Sequence, residues 1–225
     1  MPSTQNKLTT PRDEDWNNFW TREQSQQFCH VSWSKRRILQ LLTPYVHAGD
    51  RALDAGCGSG FFSKYFVDQG MAVTALDYSW AALDITKHMT QRRVRAVQGD
   101  LLVEPLPPLL NDKFDVIFSD GLLEHFSKPD QDKIVQNLIS VLNEKGFLIT
   151  VVPNRWSPWE IIRPIFMPGI DEKPFVLGQL QDLNTRNGLK IVQQGGLNTL
   201  PFAFSPEGMA AKYFGMLLYT VAQQK

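Results

Sequence analysis

Residues 51–60 read Arg51-Ala-Leu-Asp-Ala-Gly-Cys-Gly-Ser-Gly60: a short apolar run, an acid, then three glycines at alternate positions. Phe61 and Phe62 open a helical pattern behind them. A strand that ends in a tight glycine turn and feeds a helix is the layout of a nucleotide-type site at the carboxyl end of a first strand. Gly56 and Gly58 carry no side chain and can take positive φ, so a ligand can approach the backbone closely. Amides at the helix start face that ligand. The dinucleotide fingerprint G-x-G-x-x-G is excluded, because Phe61 stands where its third glycine belongs. A phosphate-gripping P-loop is excluded too, since no Gly-Lys-Ser/Thr follows. Asp54, just before the turn, repels a phosphate and suits an amino group or hydroxyl.

Outward from this turn the chain alternates strand and helix, the pattern of a mainly parallel sheet covered on both faces. Strands are predicted at about 51–55, 71–76, 94–97, 114–118, 147–152, 189–195 and within 214–222. Helices are predicted at about 60–69, from Ser79 to Arg92, at 130–143 and at 177–187. Pro105 to Pro108 predict a loop without helix, and Gly195-Gly196 to Gly208 a connection between the last two strands. Ahead of the first strand, Trp16, Phe19 and Trp20 fall on one helical face. Ile38, Leu39, Leu41 and Leu42 end a second helix. This divides the chain into a disordered polar tail at 1–12, an N-terminal helical extension or lid at 13–44, and one domain at 45–225. Five prolines and two tryptophans predict a lid-like insertion at about 153–175 within that domain.

Leu53-Asp-Ala-Gly-Cys-Gly-Ser-Gly60 closely resembles motif I of the class I S-adenosylmethionine-dependent methyltransferases, of the small-molecule, ubiquinone-biosynthesis-like type. The resemblance continues at Asp77, at Gly99-Asp100 and at 114–126, and covers roughly 50–152. It implies a Rossmann-like α/β fold whose seven-stranded, mostly parallel sheet has an antiparallel last strand. It also implies S-adenosyl-L-methionine as cofactor, with S-adenosyl-L-homocysteine as product. Asp77, at the end of the second strand, then accepts both ribose hydroxyls, as an acid about 20 residues beyond the turn does in Rossmann-like folds, with Tyr78 beside the adenine. Asp100 accepts the adenine amine next to the Leu101 amide, or else caps a helix. Asp54 and Ser119 resemble the positions that hold the amino-acid end, with the amides of Ala55 and Gly56 as donors to its carboxylate. Cys57 reads as packing rather than as a nucleophile.

Ser119-Asp-Gly-Leu-Leu-Glu-His-Phe126 resembles the segment after strand four of many small-molecule methyltransferases. The Asn/Asp-Pro-Pro-Tyr of DNA and protein-glutamine N-methyltransferases is absent. His125 is either the catalytic base, with an ordinary pKa near 6.5, or a structural bridge to the cofactor or lid. Glu124-His125 also raises a metal reading, but of the four histidines His30, His47, His88 and His125 none repeats at metal spacing after 125, so no metal site is expected. Trp16, Trp20, His30 and Trp33 from the extension, with Arg155 and Trp156 after strand five, are the substrate candidates, and Asn154 and Trp159 join them as lid candidates; core packing is the rival for each aromatic, and solvent for Arg155.

Lys plus Arg equals Asp plus Glu at 23 each, so net charge gives no nucleic-acid footprint. Lys35-Arg36-Arg37 reads as the wet face of a helix. Two cysteines far apart in sequence point away from a disulfide framework. With no apolar run near the ~20 residues of a span, a cytoplasmic location is expected. The function expected is methyl transfer to a small organic acceptor through O, N or C. A non-catalytic cofactor-binding scaffold, an RNA-modifying methyltransferase and an NAD(P)-dependent oxidoreductase, the last opposed by Phe61, are the alternatives. The residues leave the acceptor and the oligomeric state open.

Overall fold

The computed structural model describes residues 13–22, 28–161, 172–200, 202–207 and 210–225. The expected tail at 1–12 and residues 162–171 of the expected insertion lie outside them. Two helices come first, α1 (Asp13–Trp20) and α2 (Trp33–Leu42). The chain then runs β1 (Arg51–Ala55), α3 (Phe61–Asp68), β2 (Ala72–Asp77), α4 (Trp80–Met89), β3 (Arg95–Gln98) and α5 (Leu106–Leu110). It continues through β4 (Phe114–Asp120), α6 (Lys128–Ser140), β5 (Leu142–Pro153), α7 (Leu177–Arg186), β6 (Leu189–Leu197), α8 (Ala211–Phe214) and β7 (Leu217–Gln224).

All seven strands join one sheet in the order β3-β2-β1-β4-β5-β7-β6. The first five of that order pair in parallel, and β7 lies antiparallel to both β5 and β6. The expected architecture is therefore the observed one. The strand order reverses between β1 and β4, and in an open α/β sheet the crevice at such a switch point takes the ligand.

Ala52, Leu53 and Ala55 of β1 are all buried, as a strand covered on both faces requires. Ile38 and Leu42 of α2 and Phe62 and Phe66 of α3 pack on one face, with the Phe62 and Phe66 rings 4.7 and 5.8 Å from that of Phe118. Ile134 and Leu138 of α6 and Leu180 and Leu183 of α7 cover the other, against Ile117, Leu148 and Val152. Successive residues of β4 thus feed opposite cores, the period of two that a strand imposes.

Three local expectations are corrected. Helix α5 forms despite its prolines, because Pro107 and Pro108 fall in its first turn, where a backbone N–H has no intrahelical acceptor to lose. Helix α6 stops at Ser140, and β5 starts at Leu142, which pairs with Phe114 across a register shift. Gly195 and Gly196 belong to β6 rather than to a connection. A Cβ on Gly196 would lie 1.8 Å from the Ala211 carbonyl oxygen, so the strand needs glycine where α8 crosses it.

Candidate active site

The glycine turn after β1 is held from behind by β2: the Gly56 and Cys57 amides both donate to the Leu76 carbonyl, at 2.8 and 3.1 Å. The Gly58 amide donates to Asp77 Oδ2 at 2.9 Å, and the Ser79 amide to Asp77 Oδ1 at 2.8 Å. Gly60 is left-handed, and a Cβ there would come within 2.7 Å of the Thr86 backbone, so this third glycine lets the turn rest directly on α4.

Around this turn lies a cavity of about 870 Å³. Each of the first four strands brings an acid to it. Asp54 lies in β1, Asp77 ends β2, Asp100 follows β3 and Asp120 ends β4, and all four line the cavity. Crowding Asp54, Asp77 and Asp120 out of water pushes their pKa values up. Burial raises the Asp54 carboxyl to about 7, with the nearby charges of Asp77 and Asp120 adding and the 2.6 Å bond from Ser63 Oγ opposing. Burial lifts Asp120 to about 7 as well, against the pull of Lys35. Asp77 is raised by burial and partly compensated by its three amide donors. Among the described lining residues Lys35 is the one Lys or Arg. Its ammonium touches the Phe28 carbonyl, lies 3.1 Å from the His30 carbonyl oxygen and sits 4.3 Å above the centre of the Phe61 ring. Burial lowers it to about 8, opposed by Asp120 and Cys29. The basic triplet is therefore not a wet face: Lys35 is half-buried, Arg37 is buried, and only Arg36 is exposed.

Helix α1 closes over the glycine turn. Asn17 Oδ1 accepts from Ser79 Oγ at 2.8 Å and from the Ala81 amide at 3.2 Å, which docks α1 on the start of α4. Trp20 stands against Gly58, and Phe28 packs on Phe19 and Trp20 at 5.8 and 5.9 Å between ring centres. On the far side Trp16 meets His125 edge-on at 4.9 Å, and Glu124, Phe126, Trp159 and Glu172 complete the wall.

The structure gathers most of the predicted residues here. Asp54, Gly56, Gly58, Asp77, Tyr78, Asp100, Leu101, His125, Trp16, Trp20 and His30 all line the cavity. One Asp100 oxygen also accepts the Leu102 amide at 2.8 Å, so the residue turns the chain and lines the cavity at once. Ala55 is fully buried and Ser119 is 1% exposed, and neither reaches the cavity. The Gly56 amide, expected as a donor to the cofactor's carboxylate, is committed to Leu76. Trp33 lies outside, its ring facing Arg36 and Arg37, and Arg155 and Trp156 lie outside as exposed residues. Trp159 is the aromatic that this segment delivers instead. Cys57 is buried, and its thiol is pushed well up by burial and then by Asp77 and Asp54, so it is no thiolate nucleophile. Sequence reading named Trp159 among the lid candidates, but it missed Asp120, Lys35 and Glu172. Only Asp120 carried a signal, since it ends its strand as Asp77 does.

A ligand with two positive centres suits four inward carboxylates facing one ammonium, and S-adenosylmethionine carries a sulfonium and an ammonium. The comparisons agree. Residues 52–146 match the methyltransferase domain family. A ubiquinone biosynthesis O-methyltransferase of Histophilus somni is 30% identical over 118 residues, 50% of this chain and 49% of the relative. A probable S-adenosylmethionine-dependent methyltransferase of Mycobacterium tuberculosis is 30% identical over 161 residues, 71% of this chain and 48% of the relative. The chain thus spans about half the length of these curated relatives. Among solved structures, the N-methyltransferase NodS of Bradyrhizobium japonicum, in complex with S-adenosyl-L-homocysteine, shares the fold at a TM-score of 0.69 and 15% identity. That alignment covers 94% of this chain and 97% of NodS. Over the glycine turn and the strands that carry it, residues 52–146, this chain matches the methyltransferase domain family and is similar to S-adenosylmethionine-dependent methyltransferases.

Proposed function

We propose that the protein transfers the methyl group of S-adenosylmethionine to a small organic acceptor. The observation that carries this is the set of strand-end carboxylates at Asp54, Asp77, Asp100 and Asp120, which open into a cavity whose far wall is Trp16, His125, Phe126 and Trp159. Asp77 takes the ribose hydroxyls, since a carboxylate accepts two at once. Asp100 and Leu101 face the adenine edge, with Tyr78 beside it. Asp54 receives the ammonium, and Lys35 is the cation available to a carboxylate. The bound cofactor supplies an electrophilic methyl that an in-line nucleophile displaces. The chain's own contribution is then alignment and exclusion of water, effects together worth up to about 7–11 kcal/mol. Helix α1 with residues 28–30 acts as the lid that excludes water, and the segment after β5 forms the rest of it. His125 is the group on the acceptor side suited to take a proton near neutral pH.

The far wall is aromatic with two carboxylates, which favours an apolar acceptor carrying a polar head. A hydroxyl as that head is supported by the O-methyltransferase among the relatives. The test is calorimetry with S-adenosylhomocysteine, together with mass-spectrometric detection of that product from S-adenosylmethionine and a panel of phenols, acids and amines. Asp77→Ala should weaken binding about 10–100-fold, the loss of a charged hydrogen-bond pair. Unchanged affinity in that variant would remove Asp77 from the cofactor site. Tight binding with no product across the panel would favour a scaffold.

A further inference from the structure

Glu124 and His125 lie in the 3-10 turn that follows β4, Leu123–His125. Gln131 Nε2, one turn into α6, donates to the Leu123 and Phe126 carbonyls at 3.0 and 3.1 Å, which fixes the turn from below. The segment leading to α7 returns past it, with the Lys173 amide donating to the Glu124 carbonyl at 2.9 Å. This return brings in a third donor that the spacing of histidines had not offered. One carboxylate oxygen from Glu124, one from Glu172 and one ring nitrogen of His125 lie within 4.8 Å of one another. All three residues line the cavity, Glu124 buried and the other two half-buried. Trp16, edge-on to His125, limits how that ring can turn.

We propose that Glu124, His125 and Glu172 form a site for one divalent cation of the manganese or zinc class on the acceptor side of the cavity. The chemistry of the set argues for that class. Carboxylates alone suit magnesium or calcium, whereas an imidazole among them shifts preference to first-row transition metals and zinc. An ion with bonds of about 2.0–2.2 Å spans at most about 4.4 Å between opposite ligands, so closing on it asks only a few tenths of an ångström from two flexible carboxylates. Three protein ligands leave coordination positions open, the arrangement of catalytic rather than structural sites. Those positions face the space left for the acceptor, so the ion would take an acceptor oxygen and favour its deprotonated form. His125 then serves as a ligand, and the ion replaces it as the means of activating the nucleophile. This last clause rests on the methyltransferase reading; the binding of the ion does not.

The experiment uses the full chain, stripped with chelator and dialysed, then titrated with Mn2+ while electron paramagnetic resonance reads the free ion. A chromophoric chelator reads Zn2+ in competition. Calorimetry with S-adenosylhomocysteine runs alongside on every sample. The site predicts saturation at one ion per chain. Removing an outer-shell partner already costs a metal site about 10–100-fold, so Glu124→Gln, His125→Ala and Glu172→Gln should each weaken binding at least about tenfold. Failure of the unaltered chain to bind either ion stoichiometrically overturns the proposal. So does binding that Glu172→Gln and Glu124→Gln leave unchanged, since the ion then sits elsewhere. S-adenosylhomocysteine binding that survives either result leaves the methyltransferase reading standing; its absence from the unaltered chain would count against that reading separately.

Discussion

A side chain at position 58 would meet two penalties, and they can be separated. Gly58 has φ +50°, and its added Cβ would lie 2.6 and 2.8 Å from two ring atoms of Trp20. Left-handed backbone costs an L-residue roughly 1–2 kcal/mol, and the clash must also shift α1. In a chain of this size each kcal/mol is worth about 2–4 °C, so Gly58→Ala should lower the melting temperature by about 2–8 °C. In a Trp20→Ala background only the backbone strain remains, and the same substitution should cost measurably less. Equal costs in the two backgrounds, read by differential scanning fluorimetry, would show that α1 does not rest on the turn. The sequence announces this position well, because a glycine at each alternate step of the turn is itself the requirement. It announces Asp54 and Asp77 for a similar reason, since each closes an apolar run, whereas Asp100 stands out through the resemblance at Gly99-Asp100. Ser119 was the residue chosen after β4, but the alternation of a strand sends it into the core while Asp120 reaches the cavity.

Among elements, α2 holds the sharpest contrast between adjacent side chains. Arg37 Nε pairs with Glu207 at 2.6 Å, Nη1 donates to Asn198 Oδ1, and Nη2 donates to the Phe202 carbonyl at 2.6 Å. It thereby ties α2 to the segment between β6 and β7. Arg36, one position earlier, is exposed. Replacing Arg37 leaves buried Asn198 without its charged donor, a cost of about 1–3 kcal/mol, discounted from the full buried-pair figure because Glu207 keeps some solvent. Thermal denaturation should therefore lose several degrees in Arg37→Ala, whereas Arg36→Ala should stay within about 0.5 kcal/mol of the parent. Equal effects would deny Arg37 its tie. Periodicity reports which face of a helix is apolar, but not that a guanidinium on its margin will find a partner 161 positions later. The same limit hid Glu172, which joins Glu124 only because the chain doubles back. The strands were legible because runs such as 114–118 and 147–152 are apolar throughout and bounded by turns. Helix α5 was not, because its prolines read as breakers until their place in the first turn is known.

For the molecule as a whole, the carboxylates crowded at the strand ends set stability against binding. Asp54 and Asp120 titrate near 7 in the fold but near 3.8 when unfolded. Between those values the unfolded chain releases protons that the folded one keeps, so raising the pH favours unfolding. Their stabilising contribution is full below about pH 4 and is lost once the pH has passed about 7. Asp77 acts in the same direction. Asp68 and Asp132, lowered chiefly by their hydrogen bonds to Lys64 and Arg186, act in the opposite sense only as the pH falls through the acid range. Lys35, titrating near 8 instead of 10.5, regains stability only on the alkaline side. From pH 5 to pH 7.5 the empty protein should therefore melt at progressively lower temperature. A ligand with a sulfonium and an ammonium reverses this, because it favours the ionised carboxylates that the empty fold resists, and bound ligand stabilises by mass action. The rise in melting temperature caused by saturating S-adenosylmethionine should grow across the same interval, at constant ionic strength. Asp54→Asn removes one of the two groups titrating near 7 and should flatten both trends. A ligand-induced shift that stays level from pH 5 to pH 7.5 would mean that the strand-end acids do not receive the cofactor's positive charge.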